Sequence, residues 1–348
     1  MNKKKRFRSQ KQILALLIAA VLLLSACGEN QPAPTVPDAT EAAEHRYTPI
    51  TAIDHCVVEP DEREAMTDSD RVQYRALMDA MLTRQDRVTL DISEDRANFL
   101  LELLKESPYY FFTQSVRKEG TSISFTYAYS AEEQQEMLTF MDVSLLKLAN
   151  SDAQPDDNEL DVILKVYHAV GMSLRYDDAR DDNKQLGSPL FDYPADEVYK
   201  SLRDGRGLCY GFAYVLRYVL LQRGIDAFCV YGECRAHDMG HEWVILCYDD
   251  RYFCCDPAWD RAADQETKLL HFGKTDAERT ADTLVPRDFA EYHEAGYPQV
   301  VCDDGRFSIF RGIISYTVEG DHRYTLMDRD GEVFLFDSQT IEITPQSP

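Results

Sequence analysis

The sequence has little positive charge and few tryptophans for its length. Its 348 residues include 61 Asp and Glu but 37 Lys and Arg, which gives a formal net charge of −24. Such an acidic surface repels the phosphates of nucleic acids and anionic lipid head groups. We therefore expect no nucleic-acid partner. The chain has only two tryptophans, and both lie close to the motifs described below, at Trp243 and Trp259.

The nine cysteines lack the spacing of a metal site, because no two of them form the Cys-x-x-Cys pair of structural zinc sites. An aspartate-rich stretch at 176–190 lacks the glycine of an EF-hand loop, so a solvated loop is favoured over a calcium site. We expect no metal and no other cofactor. Cys27 and Cys209 belong to the motifs described below, which leaves seven other cysteines. That odd number is compatible with one or two disulfides outside the cell, but the sequence does not choose the pairs.

Long apolar runs are also scarce. The one that stands out is at residues 13–24 and follows a basic leader. It is too short to cross a bilayer comfortably and has the charge layout of a secretory signal. It ends in Leu24-Ser25-Ala26-Cys27, which resembles the bacterial lipoprotein signal. We expect cleavage before Cys27 and lipidation of that residue, which would anchor the protein at the bacterial cell surface. An ordinary signal peptide or a buried helix is the alternative interpretation.

Composition predicts five segments along the chain. Residues 1–26 form the lipoprotein signal peptide, and its removal with six basic and no acidic residues lowers the net charge from −24 to −30. Residues 27–45 carry three prolines and few large apolar residues, which is typical of a flexible tether. An N-terminal α/β domain follows at 46–150. A catalytic domain is predicted at 156–300, and a C-terminal β extension at 301–348.

The region 46–150 shows helical apolar spacing in three stretches and strand alternation in two. These are predicted helices at 71–83, 94–105 and 132–148, and predicted strands at 109–116 and 122–129. No constellation in this region suggests chemistry. The tail from 306 to 336 also alternates apolar and polar residues. This pattern predicts three or four antiparallel strands that either complete the main sheet or form a small cap.

Cys209 lies at the start of an apolar helical stretch that runs to residue 223. Glycines at 205, 207 and 211 flank it and allow a tight turn and a close backbone approach. A thiol in the first turn of a helix is near the positive end of the helix dipole, which favours the thiolate. An ordinary core cysteine is the alternative interpretation.

His241 and Asp256 are predicted to lie on neighbouring strands. Strands at 242–248 and 251–256 flank an Asp249-Asp250 turn, so the two side chains fall diagonally across one face of a hairpin. This placement is compatible with an imidazole–carboxylate hydrogen bond. A thiol, an imidazole and a carboxylate are a nucleophile, its base and the group that orients the base.

The stretch from about Asp161 to Gly273 resembles the transglutaminase-like superfamily, which is papain-related in its arrangement. The resemblance depends on motifs in a fixed order: Gly207-Leu208-Cys209, Gly224-Ile225, His241-Glu242-Trp243 and Asp256-Pro257-Ala258-Trp259-Asp260. It implies an α+β fold in which a helix bearing the cysteine packs on an antiparallel sheet bearing the histidine and the aspartate. It also implies that Cys209 is the nucleophile, His241 the base and Asp256 the orienting group.

The reaction class implied by the resemblance is acyl transfer from an amide through a thioester, on a protein, peptide or cell-wall substrate. Crosslinking transglutaminases have a tryptophan upstream of the cysteine for oxyanion stabilisation, and no Trp precedes Cys209. The Cys209 amide is one candidate oxyanion donor, and Tyr193, Tyr199 and Tyr210 are candidates for the second. Two alternatives stay open. One is a cysteine peptidase or amidase with water as the acceptor. The other is a catalytically silent module that binds peptide or glycan.

Overall fold

Helices packed against antiparallel sheets make up the described part of the protein, which agrees with the predicted α+β class. This computed structural model describes residues 48–177, 196–234, 239–261, 268–282, 284–286 and 300–346. The predicted signal peptide and tether lie outside these residues, as do three of the aspartates of the 176–190 stretch. Of the helices that are described, none has the length and apolar character needed to span a bilayer. His45–Pro348 form one compact unit, and the predicted boundaries within it stay a prediction.

The first part of the unit has four helices and a small sheet. The helices are α1 (Pro60–Ala65), α2 (Asp68–Leu82), α3 (Glu94–Glu106) and α4 (Ala131–Ala149). The strands β1 (Arg87–Thr89), β2 (Thr113–Glu119) and β3 (Ser122–Tyr127) form an antiparallel sheet in the order β1-β3-β2. The three predicted helices are confirmed.

One predicted strand in this part begins too early. Tyr110–Phe112 form a 3-10 helix, so β2 begins at Thr113 and not at residue 109. Phe111 and Phe112 are both buried, and their ring centroids lie 4.4 Å apart. Two consecutive side chains of a strand point to opposite faces, whereas a helical turn can direct both into one core. Packing of the adjacent aromatic pair therefore outweighs the β propensity of this segment.

The middle part contains the elements that carry the predicted chemistry. Its helices are α5 (Glu159–Ser173), α6 (Glu197–Asp204), α7 (Cys209–Gln222), α8 (Pro257–Asp260) and α9 (Asp276–Ala281). A short parallel pair joins β4 (Arg175–Tyr176) to β5 (Arg206–Gly207). The main antiparallel sheet contains β6 (Ala227–Cys234), β7 (Met239–Tyr248), β8 (Arg251–Cys255) and β9 (Leu284–Pro286) in the order β8-β7-β6-β9.

Helix α7 packs against β6 and β7 of the main sheet. Leu216, Val219 and Leu220 of the helix are fully buried and share one apolar cluster with Val244 and Leu246 of β7. Burying side chains of this size contributes roughly 1.5–3 kcal/mol each. This shared core fixes the start of α7 relative to the sheet.

The β7–β8 hairpin has the predicted register. Tyr248 pairs with Arg251, and Asp249 and Asp250 both adopt positive φ angles of 53° and 55°. Two left-handed residues form the type of two-residue turn whose twist matches that of the flanking strands, and aspartate tolerates this conformation better than most residues do. The hairpin therefore carries residues 241 and 256 to one end of the sheet.

The tail forms a separate sheet and does not extend the main one. Four antiparallel strands follow a 3-10 helix (Arg306–Phe310): β10 (Ile313–Gly320), β11 (Arg323–Asp328), β12 (Val333–Asp337) and β13 (Glu342–Pro345), in the order β10-β11-β12-β13. Asp161 of α5 is fully buried and accepts hydrogen bonds from Tyr324 Oη at 2.7 Å and Ser338 Oγ at 2.5 Å. These contacts attach the tail sheet to α5.

Candidate active site

Cys209 is the first residue of α7, and its side chain is 3% exposed. Leu208 occupies the N-cap position, and its apolar side chain makes no capping hydrogen bond. The first backbone N–H groups of a helix have no intrahelical acceptor and carry partial positive charge. The thiol therefore lies beside N–H groups that can stabilise negative charge on the sulfur or on a nearby oxyanion.

A close contact with α6 fixes the start of α7. A Cβ atom at Gly211 would lie 2.5 Å from Ser201 Oγ and 2.9 Å from Glu197 Oε1, so only glycine fits there. Ser201 and Glu197 are both buried, and the serine hydroxyl donates to the glutamate at 3.2 Å. Sequence reasoning identified the glycines around Cys209 but not the buried pair that they accommodate.

His241 lies on β7, with 4% of its side chain exposed. Its partner across the strand pair is Gly232 of β6, so no side chain lies directly opposite the ring on that strand. The Trp259 ring lies on the imidazole with centroids 4.9 Å apart, and the Trp243 ring is stacked at 6.2 Å. The tryptophans shield the imidazole from water and limit its rotation.

Asp256 follows the last residue of β8 and is the N-cap of α8. Its Oδ1 accepts the Trp259 backbone N–H at 3.1 Å, and its Oδ2 lies 2.6 Å from His241 Nε2. The carboxylate is fully buried. The aspartate of the Asp-Pro motif therefore has two roles, because one oxygen begins a short helix and the other contacts the imidazole.

Two of the three predicted site residues, His241 and Asp256, meet at this end of the sheet. Nε2 of His241 contacts Asp256, and Cys209 is among the groups that raise the pKa of the ring. Because Nε2 is used by the carboxylate, Nδ1 is the ring nitrogen that remains for the thiol. The structure thus joins the predicted imidazole to the predicted carboxylate, and the role of Cys209 beside them stays a prediction.

Opposing influences determine the charges of His241 and Asp256. Burial is the largest influence on His241 and disfavours the charged ring, but the Asp256 carboxylate and the hydrogen bond with Cys209 outweigh it and raise the pKa of His241 to about 10. Burial also disfavours the charged carboxylate, yet His241 and Arg279 hold the pKa of Asp256 well below its usual range. The buried pair is therefore an imidazolium–carboxylate pair at neutral pH.

Arg279 of α9 is a site residue that the sequence did not reveal. Its side chain is 1% exposed, and its Nη2 donates to Asp256 Oδ2 at 3.0 Å. The guanidinium lies over the Trp243 ring at 4.9 Å and over the Trp259 ring at 5.5 Å. The capping box of Thr275 and Glu278 signals the start of a helix at this position, but not the direction of the arginine side chain.

The candidate second oxyanion donors are only partly described. Tyr199 stacks on Phe111 with ring centroids 5.5 Å apart, and Tyr210 is buried beside Cys209 in sequence. Tyr193 lies outside the described residues. Of the groups considered, the amides of the first turn of α7 are the donors whose position beside the thiol follows from the helix itself.

Seven cysteines are free thiols: Cys56, Cys209, Cys229, Cys247, Cys254, Cys255 and Cys302. One group of residues in the described ranges has ligand atoms close enough for a metal ion, namely Cys254, Asp276 and Cys302, whose atoms lie within 4.8 Å of one another. None of these three side chains belongs to the Cys209 site.

No protein-family model and no curated protein matches the chain. Several solved structures are similar to part of it. A crystal structure of a TGase is 15% identical over 43% of this chain and 44% of its own, with a TM-score of 0.31. The periplasmic domain of TgpA from Pseudomonas aeruginosa is 16% identical over 43% of this chain and 60% of its own, with a TM-score of 0.24.

A third solved structure is an arylamine N-acetyltransferase from Bacillus cereus, described as having a Cys-His-Glu catalytic triad. It is 12% identical over 60% of this chain and 92% of its own, with a TM-score of 0.27. The chain spans about half the length of the first two structures. At these TM-scores the similarities carry no argument about activity.

Proposed function

We propose that the protein is an extracytoplasmic thiol enzyme with a transglutaminase-like core that acts on amide bonds through Cys209, His241 and Asp256. The observation that carries the proposal is the 2.6 Å contact between the imidazole and the buried carboxylate. The thiol that begins α7 supports it, because Cys209 is among the groups that raise the pKa of His241. The same three residue types are the minimum for nucleophilic catalysis with an oriented base.

In the first half of the reaction, the Cys209 sulfur attacks the carbonyl carbon of a carboxamide. The negative charge that develops on the carbonyl oxygen is stabilised by the amides of the first turn of α7. His241 donates its proton to the departing amine, and the C–N bond breaks to leave a thioester on Cys209. Because the pKa of His241 is raised to about 10, the ring carries this proton at neutral pH.

In the second half, water or an amine attacks the thioester, and His241 accepts a proton from it. The hydrogen bond and charge interaction with Cys209 contribute to the raised pKa of His241, and acylation of the sulfur removes both. The pKa of the ring then falls, so that it becomes a better base when a base is needed. Collapse of the intermediate restores the thiolate and the protonated ring, while Asp256 keeps the ring oriented throughout.

The proposed location is the outer face of a bacterial membrane, with the chain anchored through lipid on Cys27. The acidic composition supports a body attached by lipid alone, because it gives no basic surface for anionic head groups. The substrate is then a protein, peptide or cell-wall component outside the membrane. Water as the acceptor would make the enzyme a peptidase or amidase, and an amine would make it a transferase.

Site-resolved alkylation of the full chain tests the thiol. Cys209 is 3% exposed, so the probe must be small, and iodoacetamide at pH 6 is suitable because mainly activated thiolates react there. Cys229 is the internal control, since burial raises the pKa of its thiol well above the usual range. We expect modification at Cys209 and none at Cys229. Equal, slow modification of both would contradict the proposal and favour a silent binding module.

Turnover is tested by incubating the full chain with peptide and cell-wall libraries, with and without an added primary amine. Mass spectrometry distinguishes hydrolysis from transfer by the mass added to the acyl product. Cys209→Ala is the matched control and should give no product. A product that persists in this variant would show that another group carries the chemistry.

A further inference from the structure

Cys254 and Cys302 form a thiol pair that the proposed reaction does not use. Their sulfur atoms and the Asp276 carboxylate lie within 4.8 Å of one another, and the Cys254 thiol lies 3.8 Å from Asp276 Oδ1. Both side chains are buried, with 1% and 2% of their surfaces exposed. The residues are far apart in sequence, so the pair exists only because the fold brings the two segments together.

The backbones of both cysteines are attached to the same short segment. Cys254 and Lys274 exchange two backbone hydrogen bonds, at 2.9 and 2.8 Å. Two residues further on, Asp276 N–H donates to the Cys302 carbonyl at 2.8 Å, and its carboxylate accepts the Cys302 N–H at 2.9 Å. Both backbones are therefore held against residues 274–276, with the two sulfurs already within 4.8 Å of each other.

We propose that Cys254 and Cys302 form a disulfide when the protein folds in an oxidising compartment. The surroundings favour an uncharged product, because the two thiols belong to an apolar cluster with Phe228, Trp243 and Ile245. A cystine is uncharged and needs no hydrogen-bond partner. Zinc would require both thiols to ionise beside the Asp276 carboxylate, and Cys254 together with burial raises the pKa of the Cys302 thiol far above its usual range.

The oxidant is a disulfide, carried by a protein oxidoreductase or a small molecule outside the cytoplasm. One cysteine attacks the oxidant as a thiolate and forms a mixed disulfide, and the second cysteine displaces the remaining sulfur to give the Cys254–Cys302 bond. Two cysteines are oxidised, the oxidant is reduced to two thiols, and the two cysteine protons end on those thiols. Since both sulfurs are buried in the folded chain, the exchange takes place before the segment with Cys302 packs.

The bond would close a loop of about 50 residues. A crosslink across a loop of this length considerably lowers the conformational entropy of the unfolded chain. That loop contains Asp256 and Arg279, two of the groups at the candidate active site. The crosslink therefore favours the fold of the segment that supplies them. It takes no part in the chemistry at Cys209, so it can be tested separately from the proposed function.

The test is to unfold the full chain in denaturant with a reductant, refold it in a glutathione disulfide buffer, block remaining thiols and digest it without reduction. We expect a peptide pair that joins the Cys254 peptide to the Cys302 peptide and is lighter by two hydrogens than the sum of its parts. Cys254 and Cys255 share a tryptic peptide, so Cys255→Ser is the matched control and should keep the crosslink, whereas Cys254→Ser should lose it. Cys209→Ala should also keep it.

Thermal unfolding gives a second readout. The oxidised chain should melt several degrees above the reduced chain, and Cys302→Ser should remove this difference. The proposal would be overturned by refolded protein without the crosslink, or by a crosslink through Cys255. It would also be overturned by one zinc ion per reduced chain that depends on both cysteines and blocks the oxidation. If the serine variants fail to fold, fragmentation of the crosslinked peptide from the unaltered chain between residues 254 and 255 shows which of the two cysteines is bonded to Cys302.

Discussion

Arg279 and His241 contact the same carboxylate oxygen. Asp256 Oδ2 lies 3.0 Å from Arg279 Nη2 and 2.6 Å from His241 Nε2, and all three side chains are buried. Two cations on one carboxylate keep it ionised in spite of burial, which is why the pKa of Asp256 lies well below its usual range. The arginine is therefore a positioning residue, since it holds the group that orients the base.

Replacing this arginine should cost stability. In Arg279→Leu the buried carboxylate loses a partner, and breaking a buried ion pair typically costs about 3–5 kcal/mol. Urea unfolding measures the loss. Arg323→Leu is the control, because its 3.5 Å pair with Asp321 is exposed and contributes about 0–1 kcal/mol. A loss in Arg279→Leu no larger than in the control would contradict the supporting role of Arg279.

The catalytic residues should differ in their effect on turnover. Cys209→Ala should abolish product formation, because no other nucleophile replaces the thiol. Asp256→Asn should lower kcat/KM by about 10²- to 10⁴-fold but leave measurable activity, because the amide misorients the base without removing it. Both are measured with whichever substrate the library experiment identifies. Unchanged activity in Asp256→Asn would rule out the orienting role.

Alkylation of Cys209 should depend on His241. The imidazolium stabilises negative charge on the sulfur, and the pKa of His241 at about 10 keeps the ring charged throughout the neutral range. In His241→Ala we expect alkylation by iodoacetamide at pH 6 to slow markedly and to recover as the pH rises. Comparison of the pH profiles of the two proteins separates charge from access. Identical profiles would mean that the imidazole does not activate the thiol.

A half-buried acidic group on α1, Glu62, should make the fold less stable in alkaline solution. Burial, with Glu59 and Glu106 nearby, raises the pKa of Glu62 to about 8. A carboxyl group with a raised folded-state pKa favours folding below its unfolded pKa near 4.5, and this contribution is lost as the pH rises through about 8. Glu62→Gln should therefore raise the Tm by a few degrees at pH 8.5 and change it little at pH 4.5.

The control for this substitution is Glu64→Gln, an exposed position on the same helix. The side-chain amide that Glu62→Gln introduces can still accept the Glu59 N–H, which in the unaltered chain donates to the carboxylate at 3.2 Å, so the helix start is preserved. Equal shifts for both variants would indicate a general charge effect. A lower Tm for Glu62→Gln at pH 8.5 would contradict the prediction.

The lipid anchor is tested at Cys27. Cys27→Ser should release the protein from the membrane or leave it unprocessed with its leader attached, because the serine cannot be lipidated. Membrane fractionation and the mass of the mature amino terminus measure the two outcomes. Unchanged membrane attachment of a processed chain would show that something other than this lipid holds it.

The amino-acid sequence alone determined the local elements of the fold and the order of the site residues. The helix predicted at 94–105 begins directly after Ser93, whose Oγ accepts the Arg96 N–H at 3.3 Å. The Asp249-Asp250 turn and the helix that begins at Cys209 were predicted as well. Such features depend on neighbours within a few residues, through hydrogen-bond period, capping and turn conformation, so a linear pattern records them.

Tertiary structure alone decided which distant segments meet. No local pattern places Arg279 on the carboxylate of Asp256, or Cys302 beside Cys254, and none shows that the tail forms its own sheet. These relations depend on how α9 and the segment at 300–302 pack against the end of β8. These contacts are stabilised by burial and by ion pairs between residues more than 20 positions apart in the sequence. Neither leaves a periodic signal in the chain.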